Sequence, residues 1–146
     1  MERVVVNVEV AVWREGRYLA VERGVGEDYG AGWLGFPGGK LELDLDVQDA
    51  IEATARREVL EETGLPLDLP IVYVESHTFG IAGDMLVLDV VMLAGSTSGD
   101  ATCGDPNEVA SVAWLTLEEF VADVRTQPWT RTSLALADAK RMDLGW

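Results

Sequence analysis

The chain has 146 residues, of which 26 are acidic and 11 are basic, and its formal net charge is −15. Proteins bind long nucleic acids largely by neutralising phosphates with lysine and arginine, so this charge argues against polymeric nucleic acid as a partner. The length is that of one ordinary domain with a substantial core, and we expect a single domain over residues 1–146.

The N-terminal run and the cysteine content indicate the compartment. The single cysteine, Cys103, cannot form an internal disulfide, so we expect a cytoplasmic protein. The first residues lack a basic segment and soon alternate, which predicts a strand and not a signal peptide. The most apolar run, residues 85–94, is about half as long as a membrane span and has Asp89 at its centre. It predicts a buried strand, and no association with a membrane is expected.

The first half of the chain predicts a hairpin followed by loops. Alternating patterns predict strands over residues 4–13 and 17–22, joined by a turn at Glu15-Gly16. A loop rich in glycine, residues 24–32, then leads into the turn-rich segment 33–39.

A helix is predicted over residues 47–63. Ile51, Ala55 and Val59 form a stripe at i, i+4 and i+8 that would face the core. Gly64 follows at the position of a helix C-cap.

The second half predicts further strands and helices. Thr116 and Glu119 have the spacing of a capping box, which favours a helix starting after Thr116. Mixed strands with helices on both sides predict an α/β sandwich. The predicted strands are residues 71–79, 85–93 and 109–115, and the predicted helices are 117–124 and 132–141.

Acidic side chains crowd one face of the predicted helix 47–63. At about 100° per residue, four charged residues fall within an arc of roughly 140°. Like charges at i,i+3 and i,i+4 repel by a few tenths of a kcal/mol per pair, unless a cation lies among them. The pattern therefore indicates a divalent metal site. The four residues are Arg57, Glu58, Glu61 and Glu62.

These residues resemble the Nudix box of the MutT-like pyrophosphohydrolases. The family pattern is G-x5-E-x7-R-E-U-x-E-E-x-G-U, where U is apolar, and its second half matches Arg57-Glu58-x-x-Glu61-Glu62-x-Gly64-Leu65 at every defined position. Gly38-Gly39-Lys40-x-Glu42, Trp33 and the Phe36-Pro37 lead-in are also similar to the family. The resemblance implies a Nudix-like α/β/α sandwich with a mixed β-sheet and a catalytic loop-helix-loop.

The first glutamate of the box is absent. Counting back from Arg57, it falls on Asp49, and the loop after Gly39 is about four residues longer than the pattern. Since four residues are close to one helical turn, one hypothesis is that Asp46 caps a helix extended by one turn, with Asp49 at N3. Alternatively, Asp44 replaces the glutamate.

The resemblance implies hydrolysis of the phosphoanhydride bond of a nucleoside diphosphate linked to another moiety, such as a nucleoside triphosphate. Mg²⁺ or Mn²⁺ would neutralise the substrate and activate water. Arg57 would orient the carboxylates by hydrogen bonds. The implied metal ligands are Glu58, Glu61, Glu62 and a backbone carbonyl of Gly39 or Gly38.

Other candidates lie outside the acidic helix. The resemblance implies that Arg23, Gly38, Gly39 and Lys40 contact substrate. Two acids, Asp105 and Glu108, precede the strand 109–115, where the resemblance implies a further carboxylate that binds metal or activates water, and Glu108 is the preferred candidate. Glu42 is either a ligand or base, or a solvent-facing acid, and both alternatives stay open.

Substrate identity is not specified by any motif. His77 is expected to be structural and Cys103 incidental. A homodimer is an expectation from the family. The alternative function is a non-catalytic Nudix-like module that binds a nucleotide or a protein, motivated by the altered first glutamate and the longer loop. Aromatic candidates for base or sugar contacts are Tyr29, Trp33, Phe79 and Trp114, although core packing is the commoner fate of tryptophan.

Overall fold

A mixed β-sheet forms the centre of the protein, in a computed structural model that describes residues 3–27, 29–42, 46–81 and 83–146. In chain order the elements are β1 (Arg3–Arg14), β2 (Arg17–Arg23), β3 (Leu34–Gly35), β4 (Gly38–Lys40), α1 (Ala50–Thr63), β5 (Val72–Ile81), β6 (Met85–Gly95), β7 (Val109–Leu115), α2 (Leu117–Ala122) and α3 (Pro128–Asp143).

The sheet divides along β1. The strand order is β3-β2-β1-β6-β5, and β4 pairs with β1 while β7 pairs with β2. β1 is parallel to β6 from Arg3 to Trp13. On its other side, β1 pairs with β4 through Asn7, Val8 and Glu9, and with β2 only at Trp13 and Arg14. The change of partner halfway along β1 creates the division at which the candidate site lies.

Helices cover both faces of the sheet, because alternate strand residues point to opposite faces. The α/β/α sandwich predicted from the sequence is confirmed. On one face, Val8, Val10 and Val12 pack with Ala55 and Val59 of α1, and all five are fully buried. On the other face, the buried cluster contains Ala11, Val91 and Leu93 together with Phe120 of α2 and Leu134 of α3.

β6 is the buried strand predicted for the most apolar segment. Val91, Leu93 and Ala94 are fully buried, and Asp89 at its centre is only 2% exposed. None of the described helices combines the length and the apolar composition that a membrane span requires.

Several element boundaries differ from the prediction. β3 and β4 were not predicted, because strands of two and three residues are too short to show an alternating pattern. α3 begins at Pro128 and not at residue 132, since proline is tolerated in the first turn, where its missing N–H has no helical partner. α2 ends at Ala122, before the predicted residue 124.

The predicted capping box of α2 and the predicted C-cap of α1 are both confirmed. The Thr116 hydroxyl accepts the Glu119 N–H at 3.1 Å, and the Glu119 carboxylate accepts the Thr116 N–H at 2.9 Å. Gly64 ends α1 with φ of 74°, and its N–H donates to the carbonyl of Leu60 at 2.9 Å. A left-handed residue at this position satisfies a carbonyl that the helix leaves without a partner.

The predicted extension of α1 by one turn is wrong. The helix begins at Ala50, so Asp49 is the N-cap residue and not N3, and its side chain makes no capping hydrogen bond. Asp46 and Asp49 have positive φ values of 59° and 51°, which are incompatible with a right-handed helix through them. The extra residues before α1 therefore lengthen the loop. Asp44, the other candidate, lies outside the described residues.

Candidate active site

Helix α1 brings its carboxylates against β4. The Gly38 N–H donates to Oε2 of Glu62 at 3.3 Å. A Cβ atom on Gly39 would lie 2.7 Å from Oε1 of Glu58 and nearer still to the carboxyl carbon. Glycine at position 39 is therefore what allows the Glu58 carboxylate to lie directly against the backbone of β4.

Arg57 connects the same two elements. Its Nη2 donates to the Lys40 carbonyl at 3.0 Å and to Oε1 of Glu58 at 3.2 Å. Its Nε is buried and has no hydrogen-bond partner within the described part of the chain. Glu42 lies 3.9 Å from Nη1 with a side chain 65% exposed, the arrangement of a solvent-facing acid. Arg57 thus orients Glu58 relative to β4.

Three other carboxylates lie near the Glu62 carboxylate. Burial, opposed by the Gly38 hydrogen bond and reinforced by the carboxylates of Glu58, Glu108 and Glu27, raises the pKa of Glu62 to about 8. Burial likewise raises the pKa of Glu58. Burial and like charges both disfavour the ionised form, and a nearby hard cation would favour it.

The donors of this cluster fit a hard divalent cation by their chemistry, because all are carboxylate or carbonyl oxygens. Across residues 3–27, 29–42, 46–81 and 83–146, no three His, Cys, Asp or Glu side chains form a preformed metal cage. Glu62 is held by the Gly38 amide and Glu58 by Arg57, while Glu61 is exposed. A metal site made by these three glutamates requires their side chains to turn toward one another.

A small polar cavity lies beside Glu62, at the division of the sheet. Its volume is about 50 Å³, and its lining includes four carboxylates and one guanidinium, those of Glu9, Glu27, Glu62, Glu108 and Arg23. Arg23 is held by the Tyr29 carbonyl at 2.8 Å and by Glu27 at 3.2 Å. The structure thus brings the predicted residues Arg23, Gly38, Glu62 and Glu108 to one cavity.

Asp105 has a structural contact. Its side chain accepts the Asn107 N–H at 2.9 Å, and its carbonyl accepts the Glu108 N–H at 3.0 Å. This turn leads the chain into β7 and directs Glu108 to the cavity. Asp105 does not line either cavity beside the acidic helix.

A larger cavity of about 380 Å³ adjoins the small one and has aromatic walls. Trp33 contacts Tyr29 and Trp129 edge to face, with ring centroids 5.0 and 5.5 Å apart. Tyr29, Phe79 and Trp129 are 40–56% exposed. Large apolar side chains that are exposed together are typical of a binding site. The two cavities share five lining residues, namely Asn7, Glu9, Arg23, Glu27 and Phe36.

Polar side chains from three adjacent strands form the floor of the larger cavity. Asn7 of β1 and His77 of β5 are both in register with Asp89 of β6. Asn7 Nδ2 donates to Oδ1 of Asp89 at 2.7 Å, and His77 Nε2 lies 4.0 Å from Oδ2. Burial, together with the neighbouring Asp89 carboxyl, raises the pKa of Glu9 well above its usual value.

The aromatic candidates separate into two groups. Tyr29, Trp33 and Phe79 line the larger cavity, and Lys40 lies at the same cavity. Trp114 packs against the core instead, with the Arg14 guanidinium 4.7 Å from its ring centroid, and lines neither cavity.

Sequence reasoning missed the floor of the larger cavity. Asn7, Glu9 and Asp89 interrupt otherwise apolar strands on the side that faces away from α1, and polar residues at such positions are the signal that indicates them. Trp129 carries no comparable signal, because an aromatic residue in the first turn of an amphipathic helix is ordinary.

Comparison with known proteins indicates the family. A family model described as NUDIX domain matches residues 3–137. No curated protein matches the chain significantly.

Solved structures have the same fold. A MutT NUDIX hydrolase from Burkholderia pseudomallei is 26% identical with a TM-score of 0.76, over 92% of this chain and 98% of that one. A MutT protein from Methanosarcina mazei Go1 is 21% identical with a TM-score of 0.78, over 96% of both chains. A NUDIX hydrolase from Nitrosomonas europaea is 24% identical with a TM-score of 0.76, over 94% of this chain and 90% of the other.

Proposed function

Because the chain belongs to the Nudix family of hydrolases, we propose that it hydrolyses a phosphoanhydride bond of a nucleoside triphosphate or a related nucleotide, with Mg²⁺ or Mn²⁺ as cofactor. The observation that supports this most directly is that the two cavities are neighbours with five lining residues in common. An aromatic cavity of about 380 Å³ suits a base and sugar, and it adjoins a carboxylate-lined cavity beside α1. The substrate would extend from the first into the second.

The acidic cavity would take the diphosphate only together with a divalent cation. Four carboxylates line it, so a bare polyphosphate would be repelled. When bound, the cation would neutralise the phosphate oxygens and lower the pKa of a coordinated water. The residues that would hold it are Glu58, Glu61, Glu62 and the carbonyl of Gly39.

The remaining residues would position the carboxylates and the substrate and activate the attacking water. Arg57, hydrogen-bonded to Glu58 and to the Lys40 carbonyl, would keep the glutamate directed at the phosphates. Glu108, in the same cavity as Glu62, would accept a proton from the attacking water. Arg23 lines both cavities and would contact the phosphate nearest the sugar, and Lys40 would add a second positive charge.

A nucleotide panel with carboxylate variants tests this function. We expect wild-type protein to release phosphate or pyrophosphate from a nucleoside triphosphate in Mg²⁺ and not in chelator. Glu62→Gln and Glu58→Gln, which keep shape and remove charge, should each lower kcat by about 100-fold or more. Glu118→Gln, an exposed glutamate on α2, is the matched control and should be unchanged. Undiminished turnover in Glu62→Gln would contradict the assignment.

A binding module without catalysis is the second candidate. The observation that favours it is the position of Asp46 and Asp49, which are exposed in the loop before α1 and line neither cavity, so neither replaces the first glutamate of the box there. Tight nucleotide binding without turnover in either metal would support this candidate.

A further inference from the structure

One edge of the sheet is open along a complete strand. β5 is the last strand in the order β3-β2-β1-β6-β5, and it pairs with β6 from Val72 to Ile81. Across residues 3–27, 29–42, 46–81 and 83–146, no backbone hydrogen bond joins β5 to a segment other than β6. The outer N–H and C=O groups of this strand of ten residues are therefore available to another strand.

The strand β5 also lacks the features that usually protect an edge. Proteins protect edge strands by making them short, by covering them, or by placing lysine, proline or a bulge in them. At the opposite end of the sheet, β3 has only two residues, and the Leu34 N–H donates to the Arg125 carbonyl at 3.1 Å. β5 contains neither lysine nor proline, and its register shift lies at its start, between Tyr73 and Glu75.

The open edge exposes large apolar side chains. Tyr73, Phe79 and Ile81 are 53%, 40% and 41% exposed. Gly80 is in register with Leu86 of β6, and a Cβ atom on Gly80 would meet nothing within 4 Å, so there is room for a neighbouring side chain beside Leu86. β7 pairs with β2 and offers no such surface. Its three exposed side chains are small, namely Ala110, Ser111 and Ala113.

The distribution of charge indicates which partner suits this edge. The chain has 26 acidic residues among 146, but Glu75 is the single acid in the segment 69–81. The carboxylate of Glu75 accepts the hydroxyl of Ser133 on α3. A basic partner would bind the acidic surface elsewhere on the molecule. Two copies of the chain, each with a net charge of −15, repel each other and meet least repulsion where acids are few.

We propose that two copies of this chain associate by antiparallel pairing of β5 with the same strand of the second copy. An antiparallel strand can pair with itself about a two-fold axis, the commonest symmetry of protein dimers. The part of β5 after the register shift, residues 75–81, has Thr78 at its middle. With the axis near Thr78, side chains of the second copy flank Phe79 and Ile81 and remove them from water. This inference does not depend on the hydrolytic function.

The oligomeric state of the wild-type protein is the first test. We expect sedimentation velocity between about 5 and about 500 µM to show a monomer and a dimer, with the dimer fraction rising with concentration. Raising NaCl from about 50 to about 500 mM should strengthen association, because salt screens the repulsion between two acidic copies. A monomer at every concentration, or assembly beyond a dimer, would overturn the inference.

Hydrogen exchange locates the contact without a variant. Outward-facing amides of β5 should exchange about 10-fold more slowly at a protein concentration where the dimer dominates than where the monomer dominates. Amides of β7 should exchange at the same rate in both samples. Protection that appears in β7 or in a helix, with none in β5, would show that the copies associate through another surface.

A pair of charge variants tests the two-fold arrangement. Thr78→Glu places a carboxylate opposite its own copy, so the dissociation constant should rise about 5-fold or more. Thr132→Glu, at an exposed position on α3, adds the same charge away from the edge and is the matched control. Equal dissociation constants for these two variants, both folded by circular dichroism, would contradict the proposed pairing.

A mixing experiment separates loss of pairing from loss of folding. Thr78→Lys should also weaken self-association, because two ammonium groups then face each other across the axis. A mixture of Thr78→Glu and Thr78→Lys brings opposite charges together and should associate more tightly than either variant alone. If the mixture associates no better than the separate variants, Thr78 does not lie opposite itself and the proposed register is refuted.

Discussion

Gly39 faces Glu58 across the contact between β4 and α1 so closely that no side chain fits between them. A Cβ atom at Gly39 would be 2.7 Å from Oε1 of Glu58, which is well inside van der Waals contact. The backbone of Gly39 does not have positive φ, so the requirement for glycine here comes from space and not from conformation.

Gly39→Ala should therefore displace Glu58 and lower activity while leaving the fold intact. We expect kcat to fall by about 100-fold, the typical cost of moving a catalytic group by about an ångström. Gly80→Ala on β5 is the matched control, because a Cβ there meets nothing within 4 Å. Steady-state kinetics and thermal unfolding of both variants check this, and a fully active Gly39→Ala would show that Glu58 can move without consequence.

Arg57 should act as a positioning residue for Glu58. Arg57→Lys keeps the charge but replaces the planar guanidinium, whose Nη2 donates to both the Lys40 carbonyl and Glu58, with an ammonium on a shorter side chain, so we expect kcat to fall by about 10- to 100-fold with a weaker apparent affinity for Mg²⁺. The exposed neighbour Arg56→Lys is the control. A metal titration of the rate distinguishes this from simple destabilisation, which would leave the Mg²⁺ dependence unchanged.

A half-buried ionic cluster between α3 and β2 should make stability depend on pH. Burial tends to raise the pKa of Asp138, but hydrogen bonds from Arg141 at 2.8 Å and Tyr18 at 2.7 Å outweigh it and lower the pKa below its usual value. A carboxyl with a lowered pKa in the folded state stabilises fully above the unfolded pKa of about 3.9. That stabilisation is lost as the pH falls through the folded pKa.

Asp138→Asn should thus be less stable than wild type at pH 7 by about 1.5–3 kcal/mol in the free energy of unfolding, and the difference should shrink below about pH 4. Urea unfolding at pH 7 and at pH 3 measures both. Asp143→Asn, exposed at the end of the same helix, should change by no more than about 0.5 kcal/mol. A difference that is independent of pH would exclude ionisation as the cause.

The capping box of α2 should contribute to stability but not to activity. Thr116→Ala removes the hydroxyl that accepts the Glu119 N–H, and we expect a loss of about 1 kcal/mol in the free energy of unfolding with unchanged kcat. Thr132→Ala on the exposed side of α3 makes the same chemical change without removing a cap. Equal stability of the two variants would contradict the prediction.

The sequence predicted those elements whose patterns are long or whose caps are distinctive. The stripe of Ile51, Ala55 and Val59 and the glycine at position 64 identified α1 and its end. The predicted start of α1 was wrong, because the left-handed conformations of Asp46 and Asp49 depend on the path of the loop, which residue types do not specify.

The part of the candidate site that lies within one local sequence motif was predictable. Arg57, Glu58 and Glu62 are on one helix, and the structure brings them to β4 as the motif implies. The floor of the aromatic cavity was not predictable in this way. Asn7 and Asp89 meet only because β1 and β6 pair in one particular register across 82 positions, and strand pairing of that kind cannot be deduced from either segment alone.

The floor formed by Asn7, Asp89 and His77 belongs to the three strands that also hold the molecule together. Exchange of surface loops, the usual route to a new substrate preference in an engineered enzyme, would leave that floor in place. Retargeting would instead need substitutions in the sheet itself, so each gain in selectivity is expected to be accompanied by a measurable change in melting temperature.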